Sequence, residues 1–338
     1  MLGFDFPMAP ATAGCSTPPP SLSSALLGSG TLALAMLDGL ITHVACHQHA
    51  HSSKGIAIVT GANRGLGLGV ARQLASEGFA ILAVCRTQAD GAACIASLAN
   101  PSAHTAMGVD LATSDPSKIG ALVAAHVAVA QARAGAHLRL TLLVNNAGSC
   151  LDGFSRAAFE TSMAVNCRAP LAIARATIPL MGDASGMVIN VSSGLGPRNA
   201  LSTAYAAAIG AVSTFEQLER LPFDAADVQM ARALKPAYWV SKAALNRGTQ
   251  LLASQLLASS AAALPTRQEK WRGGTVSVVA VCPGWCATRM GGTAARRTVE
   301  QGVASVLWPL RQLELHPRQS LPPMEVAAFT RDGCRLEW

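Results

Sequence analysis

The sequence predicts an α/β fold in which helices cover both faces of a doubly wound, parallel sheet. Three observations support this prediction: short apolar runs alternate with helical stretches from Gly55 onward, the runs are continuous, and a glycine-rich turn follows the first of them. Continuous apolar runs are typical of parallel strands that are covered on both faces. Six runs are therefore predicted as strands, at residues 56–59, 81–84, 106–109, 140–144, 187–191 and 276–281.

Composition narrows the class of protein. The chain has 338 residues, of which 50% are hydrophobic, and a formal charge of +7. Its basic residues are scattered and only 4% of residues are aromatic, so no surface for nucleic acid is predicted. No apolar run beyond residue 54 is long enough to span a membrane. The nine cysteines include no CxxC pair, which argues against a zinc ribbon or a disulfide framework and favours a reducing compartment.

Residues 1–54 differ in composition from the rest and are predicted to be a poorly ordered N-terminal extension. They contain no Arg, a single Lys and many Ser and Ala. A plastid transit peptide is the alternative, so cytoplasm is the predicted location and plastid stays open. Cys46 and the three histidines within positions 47–51 could bind a metal, but polar tails that contain histidines are commoner, and no metal is predicted. Residues 55–338 are predicted to form one domain.

The turn after the first predicted strand has the spacing of a dinucleotide-binding loop. Glycines let such a backbone approach a pyrophosphate, and the following helix offers free N–H groups and the positive end of its dipole. The turn opens a predicted helix that runs to about Glu77. The candidate cofactor-binding residues of this turn are Thr60, Gly61, Asn63, Arg64, Gly65, Leu66 and Gly67.

The end of the second predicted strand bears on the choice between NAD and NADP. Sites selective for NAD commonly have an acidic residue there, which binds the ribose 2′-hydroxyl, whereas this chain has Arg86. Arg64 and Arg86 carry guanidinium groups, which pair well with phosphate oxygens. We therefore expect NADP(H) to be the cofactor; the alternative is that both are ordinary surface arginines.

A YxxxK pair, Tyr238 and Lys242, provides candidate catalytic groups. Residues four apart share one face of a helix, so the phenol and the ammonium can converge on one site. An ammonium and an oxidised nicotinamide both favour the phenolate, so we expect the pKa of Tyr238 to be lowered. The other tyrosine of the chain, Tyr205, has no lysine four residues later. Ser192 and Ser193, after the fifth predicted strand, can each hydrogen-bond a substrate oxygen.

Together these motifs resemble the short-chain dehydrogenase/reductase family over about residues 55–338. The resemblance implies a Rossmann-like fold, a nicotinamide cofactor and a catalytic tetrad. In the family the serine stands three residues before a glycine, here Gly196, which selects Ser193. Members usually have glycine three residues after the tetrad asparagine, whereas this chain has Ala169 there. The tetrad implied by the resemblance is Asn166, Ser193, Tyr238 and Lys242.

The resemblance also implies further cofactor contacts. Asp110 and Leu111, after the third predicted strand, would contact the adenine ring. An NNAG motif at residues 145–148 would support the sheet beside the cofactor, and the Pro-Gly turn with Thr288 would contact the nicotinamide carboxamide. The remaining candidate cofactor-binding residues are Asp110, Leu111, Asn145, Ala147, Gly148, Tyr238, Lys242, Pro283, Gly284 and Thr288.

The selection of Tyr238 implies an insertion at about residues 198–236. Such an insertion resembles those of monomeric carbonyl reductases and of plant menthone and salutaridine reductases, and the last ten residues resemble the end of animal carbonyl reductases. The resemblance implies that NADPH reduces a ketone, aldehyde or quinone while Tyr238 protonates its oxygen. Ser193 would polarise that oxygen, Lys242 would hold the ribose and tune Tyr238, and Asn166 would anchor a water. Two alternatives stay open: an NADP-binding sensor or scaffold without turnover, and an alcohol dehydrogenase working oxidatively.

The insertion also predicts the oligomeric state. Phe215, Leu218, Leu221 and Phe223 stand at spacings that could form one apolar helix face. Packed against the catalytic helix, this face would cover the surface through which ordinary members of the family associate, and the chain would be a monomer. A flexible loop that leaves this surface free is the alternative.

Overall fold

The computed structural model describes residues 54–181, 186–194, 201–233, 235–262, 276–315 and 329–336. The predicted extension, the alternative metal site near Cys46 and the alternative targeting segment therefore lie outside the described residues, except for Lys54.

Within the described ranges, eight strands form one sheet. They are β1 (Ile56–Thr60), β2 (Ala80–Cys85), β3 (Thr105–Gly108), β4 (Leu140–Asn145), β5 (Met187–Val191), β6 (Ser277–Val281), β7 (Phe329–Arg331) and β8 (Cys334–Arg335). Their order is β3-β2-β1-β4-β5-β6-β7-β8, and every neighbouring pair is parallel except β7 and β8. The prediction of a doubly wound, mostly parallel sheet is confirmed. The last two strands were not among the six predicted.

Helices lie on both faces of this sheet. They are α1 (Gly65–Ser76), α2 (Gln88–Ala96), α3 (Pro116–Ala134), α4 (Arg156–Met163), α5 (Ala169–Thr177), α6 (Thr203–Ala211), α7 (Phe215–Glu219), α8 (Val228–Arg232), α9 (Pro236–Ala262) and α10 (Val299–Leu315). A π-helical turn, Ala164–Arg168, joins α4 to α5. Across the described ranges, no helix combines the length and hydropathy needed to cross a membrane.

The two faces of the sheet bury separate hydrophobic clusters. In β1, Ile56 and Ile58 belong to one cluster, whereas Ala57 and Val59 belong to the other. Successive strand residues point to opposite faces, so a strand buried on both faces must be apolar at every position. This explains why the strands are continuous apolar runs in the sequence.

Strand order creates a crevice at one edge of the sheet. The chain runs outward from β1 through β2 to β3, then returns to β4 on the other side of β1. In such sheets ligands bind at this reversal, beyond the carboxyl ends of the strands. The predicted site residues in the loops after β1 to β6 therefore lie at this edge, whereas Asn166, Tyr238 and Lys242 lie on helical segments.

The insertion is built differently from the single apolar helix face that its spacing suggested. Phe215 and Leu218 lie on α7, which ends at Glu219, whereas Leu221 and Phe223 lie in the segment that follows. Pro222 accounts for part of this difference, because the residue before a proline is disfavoured in a helix. The first three of these apolar side chains are nevertheless buried, and Phe223 is partly buried against the same cluster.

Candidate active site

The glycine-rich turn between β1 and α1 depends on its glycines. Gly61 and Gly65 have φ angles of +65° and +52°, which side chains rarely adopt. A Cβ on Gly67 would lie only 2.2 Å from the carbonyl oxygen of Gly61. Arg64 is the N-cap residue of α1, but its side chain does not cap the helix. The first N–H groups of α1 are therefore suited to an anionic ligand.

The turn after β4 is fastened to this glycine-rich turn. The Thr60 hydroxyl accepts hydrogen bonds from the backbone N–H groups of Asn146 and Ala147, both at 3.0 Å. The Asn146 side chain donates to the carbonyl oxygens of Thr60 at 3.0 Å and Gly61 at 3.3 Å. Asn146 was not among the candidate residues, although the NNAG motif contains it. Its amide holds the two turns together.

Asn145, which was a candidate, makes different contacts. Its side-chain amide donates to the carbonyl oxygen of Pro170 at 3.0 Å and to Asn190 Oδ1 at 2.9 Å. These bonds connect β4 to α5 and β5, so its side chain supports the sheet. After β3, the Asp110 carboxylate accepts from the backbone N–H of Ala112 at 2.9 Å.

Arg64 and Arg86 are both exposed at the carboxyl edge of the sheet. Neither guanidinium group forms a hydrogen bond or an ion pair with the described part of the chain. Arg86 directly follows β2, and Arg64 precedes α1. A phosphate that binds these guanidinium groups would therefore not have to displace a partner among the described residues.

Three of the predicted catalytic residues lie close together. The hydroxyl groups of Tyr238 and Ser193 share a hydrogen bond. The Lys242 ammonium donates to the carbonyl oxygen of Val191 at 2.7 Å and lies 5.7 Å from the centre of the Tyr238 ring. In contrast, the Ser192 hydroxyl is buried and hydrogen-bonds to none of the described residues. The geometry thus favours Ser193 over Ser192 as the partner of the tyrosine.

The pKa of Tyr238 differs from expectation. Burial raises it to about 12, and the hydrogen bond with Ser193 opposes this shift only in part. Burial also lowers the pKa of Lys242 to about 8. The expected lowering of the Tyr238 pKa is therefore wrong for the protein's own groups, because desolvation disfavours the phenolate. At neutral pH Tyr238 keeps its proton.

Asn166 lies in the π-helical turn and is fully buried. Its side-chain amide donates to the carbonyl oxygen of Ser149 at 2.8 Å and to Ser241 Oγ at 2.9 Å, while its Oδ1 accepts from the Ser149 N–H. Ser241 stands between Tyr238 and Lys242 on α9 and donates to the Tyr238 carbonyl oxygen. Asn166 therefore links the loop after β4 to the helix that carries the tyrosine, and both of its N–H donors are occupied.

The Tyr205 side chain makes contacts that connect parts of the fold. Its hydroxyl donates to the carbonyl oxygen of Pro222 and accepts from the N–H of Asp224, both at 3.0 Å. Its ring packs against Phe154 and Phe159, at centroid distances of 6.0 and 6.2 Å. The hydroxyl thus fastens α6 to the segment after α7.

The loop after β6 reaches across the crevice. Thr288 Cγ2 would lie 3.3 Å from a Cβ on Gly65, and Met290 Cε would lie 3.6 Å from a Cβ on Gly148. The loop therefore approaches both the glycine-rich turn and the turn after β4. Gly284, within the loop, has a φ angle of +78°.

A comparison with protein-family models identifies this architecture. The model described as short chain dehydrogenase matches residues 55–229, which include the glycine-rich turn and Ser193. The chain belongs to the short chain dehydrogenase family. Members of this family are oxidoreductases that use nicotinamide cofactors.

Individual members of the short chain dehydrogenase family resemble most of the chain. (+)-Neomenthol dehydrogenase from Arabidopsis thaliana is 28% identical over 305 residues, which are 79% of this chain and 93% of that protein. The structure of salutaridine reductase from Papaver somniferum matches with a TM-score of 0.63 at 22% identity, covering 82% of this chain and 99% of that one. The structure of the carbonyl reductase Sniffer of D. melanogaster matches with a TM-score of 0.57 at 20% identity, covering 84% of this chain and 99% of that one. The two structures show a shared fold.

Proposed function

We propose that this short chain dehydrogenase reduces a carbonyl group with NADPH. The observation that carries the proposal is the hydrogen-bonded pair of Ser193 and Tyr238, with the Lys242 ammonium buried beside the tyrosine ring. When bound, the cofactor supplies hydride to the carbonyl carbon. Ser193 donates to the carbonyl oxygen and polarises it, and Tyr238 transfers its phenolic proton to that oxygen. Lys242 holds the ribose, and its positive charge stabilises the phenolate that remains.

The protonation state of Tyr238 suits a proton donor. A donor must hold its proton at working pH, and a phenol does so both at the ordinary pKa of about 10 and at a pKa raised to about 12. Oxidation of an alcohol would need the phenolate as a base instead, and the raised pKa disfavours that form. Asn166 acts in this proposal by holding the loop after β4 against α9, through Ser149 and Ser241. That arrangement supports the tyrosine, and Asn166 would anchor a water in the proposed tetrad.

The residues that would hold the cofactor fit NADPH. Because Gly67 has no side chain, α1 begins close to Gly61, and the first N–H groups of the helix would hold the pyrophosphate. Arg64 and Arg86 would pair with the 2′-phosphate, since both guanidinium groups are exposed and unengaged within the described ranges. The Pro-Gly turn and Thr288 would contact the nicotinamide end, and Asp110 and Leu111 the adenine. The other proposed contacts come from Thr60, Asn63, Gly65, Leu66, Asn145, Ala147, Gly148, Tyr238 and Lys242.

The rim of the crevice favours an apolar substrate. Leu151, Trp285 and Met290 are 38%, 52% and 52% exposed, and they lie in the loops after β4 and β6. Charge at this rim is partly neutralised by an ion pair between Asp152 and Lys235. A bulky uncharged ketone, aldehyde or quinone would cover the apolar side chains. The name of the relative (+)-neomenthol dehydrogenase agrees with an apolar substrate.

We also propose that the enzyme is a monomer. Leu218 of the insertion lies 3.0 Å from the position of a Cβ on Gly248 of α9. Arg247, also on α9, donates to the carbonyl oxygen of Val212 at 2.8 Å. The insertion therefore occupies part of the α9 surface that a partner subunit would need. Cytoplasm stays the proposed location, with plastid as the alternative, and a fluorescent fusion of the full chain would distinguish them.

NADPH consumption with a panel of ketones, aldehydes and quinones tests the proposed reaction. We expect NADPH to be oxidised with formation of the corresponding alcohol, and an apolar cyclic ketone to be reduced faster than a charged keto acid. Binding titrations test the cofactor choice. NADPH should bind more tightly than NADH, and Arg86→Asp should narrow that difference. Equal affinity of the native protein for both cofactors would contradict the role of the two arginines.

A further inference from the structure

The C-terminal hairpin is anchored to the end of β6 and to α10. Strands β7 and β8 are joined by Asp332 and Gly333, whose φ angles are +51° and +80°, as a tight two-residue hairpin turn requires. The Asp332 N–H donates to the Ser305 hydroxyl at 3.1 Å. That hydroxyl donates in turn to the Cys282 carbonyl oxygen at 3.1 Å. A Cβ on Gly333 would lie 2.7 Å from the Trp308 ring, so the turn packs closely on α10.

From this hairpin the Asp332 carboxylate binds Arg297 through two parallel hydrogen bonds. The Nη2–Oδ1 distance is 2.7 Å, and Nη1 donates to Oδ2. Such bidentate pairs have a defined geometry as well as charge. The pairing lowers the pKa of Asp332 and raises that of Arg297. Arg297 also donates to the Gln301 carbonyl oxygen at 3.0 Å, which joins the pair to the first turns of α10.

Arg297 in turn holds the loop after β6. The backbone N–H of Arg297 donates to the Trp285 carbonyl oxygen at 3.0 Å, and the backbone carbonyl oxygen of Arg297 accepts from the Ala287 N–H at 2.8 Å. Its side chain covers Gly284, where a Cβ would lie 2.3 Å from Arg297 Cδ. The segment held in this way leads directly into Thr288, which lies next to Gly65.

We propose that Asp332 and Arg297 are positioning residues for the nicotinamide end of the cofactor, an inference that rests on the proposed function. Neither residue needs to touch the cofactor. The hairpin holds Arg297, and Arg297 holds the Gly284 turn and Thr288 in place across the crevice. Breaking the pair should weaken contacts at the nicotinamide end alone. Contacts at the opposite end, with Arg64 and Arg86, should be unaffected.

Two ligands separate these ends: NADPH, and 2′,5′-ADP, which carries the 2′-phosphate but no nicotinamide. For full-length Asp332→Asn, fluorescence titration should give a Kd for NADPH raised about three- to fivefold, the scale of an ion pair whose carboxylate is half-exposed and screened by water. The Kd for 2′,5′-ADP should stay unchanged. Arg297→Lys keeps the positive charge without the bidentate geometry and should behave in the same way. The double variant should be no worse than either single variant, since both act through one pair.

Glu314→Gln is the matched control. Glu314 lies on α10, and the change removes its ion pairs with Lys54 and Arg311. It leaves the loop after β6 untouched, so both Kd values should equal those of the native protein. Equal weakening of both ligands in Asp332→Asn and Arg297→Lys would mean that the pair only stabilises the fold, and would overturn the inference. Unchanged NADPH binding in both of these variants would also overturn the inference. A native protein that binds neither ligand would instead refute the proposed function.

Discussion

The two tyrosines of the chain lie on helices α6 and α9, and their surroundings differ in one decisive respect. Burial raises the pKa of both Tyr205 and Tyr238. Among the described residues, the Tyr205 hydroxyl binds backbone groups alone, whereas the Tyr238 hydroxyl binds the side chain of Ser193, with Lys242 beside its ring. Burial and hydrogen bonding alone therefore do not distinguish the proposed catalytic tyrosine from the structural one. The chemical nature of the partners does.

The largest expected effect comes from removing one hydroxyl at a time. Tyr238→Phe should lower kcat by about 10³-fold, because the proton donor is lost, and it should leave NADPH binding intact. Tyr205→Phe should change kcat by less than about threefold, since its hydroxyl is engaged with backbone outside the proposed reaction. Single-turnover NADPH oxidation measures both. A severe loss in Tyr205→Phe with a mild one in Tyr238→Phe would reverse the assignment.

Lys242 sharpens the comparison because Tyr205 has no equivalent neighbour. Lys242→Met should lower kcat by about 10²-fold, since the phenolate formed at Tyr238 loses its neighbouring charge. The same change should stabilise the fold at pH 7 by about 1–3 kcal/mol, because a buried ammonium with a pKa lowered to about 8 is held at a cost. Urea unfolding measures this gain.

The pH dependence of that gain has a defined sign. Between pH 8 and the ordinary lysine pKa of about 10.4, the unfolded chain binds a proton at this position that the folded protein has released. The native protein therefore regains stability as pH rises through this window, and the advantage of Lys242→Met should shrink. An advantage that is constant from pH 7 to pH 10 would show that the lost charge is not its cause.

The sequence was sufficient for six of the eight described strands, because continuous apolar runs are a local pattern. A YxxxK spacing is also a local pattern, and the proposal of Tyr238 rests on it. It could not predict the pKa of Tyr238, which depends on burial by residues far apart in the chain. The contact between Asn166 and Ser241 joins positions 75 residues apart, and no spacing indicates it. Strands β7 and β8 have three and two residues, too few to show a period.

The insertion that contains Tyr205 offers a test of assembly. The native protein should be a monomer at micromolar concentration if the insertion, through Leu218, covers the surface of α9 that we propose a partner would otherwise contact. Deleting residues 200–232 should expose this apolar surface and produce a dimer. Size exclusion with light scattering measures both. A stable native dimer would show that the insertion does not block association.

The smallest expected effect is on the free energy of unfolding, where the loss of the Tyr205 hydroxyl should matter more than the loss of the Tyr238 hydroxyl. Tyr205→Phe should lower the free energy of unfolding by about 1–2 kcal/mol, because the Pro222 carbonyl and the Asp224 N–H both lose their partner. Tyr238→Phe should change it by less than about 1 kcal/mol, since the lost hydroxyl leaves Ser193, whose own hydroxyl can rotate to another partner. Urea unfolding followed by circular dichroism gives both values. If Tyr238→Phe were the more destabilising change, its hydroxyl would have a structural role too, and the contrast between the two helices would be one of degree.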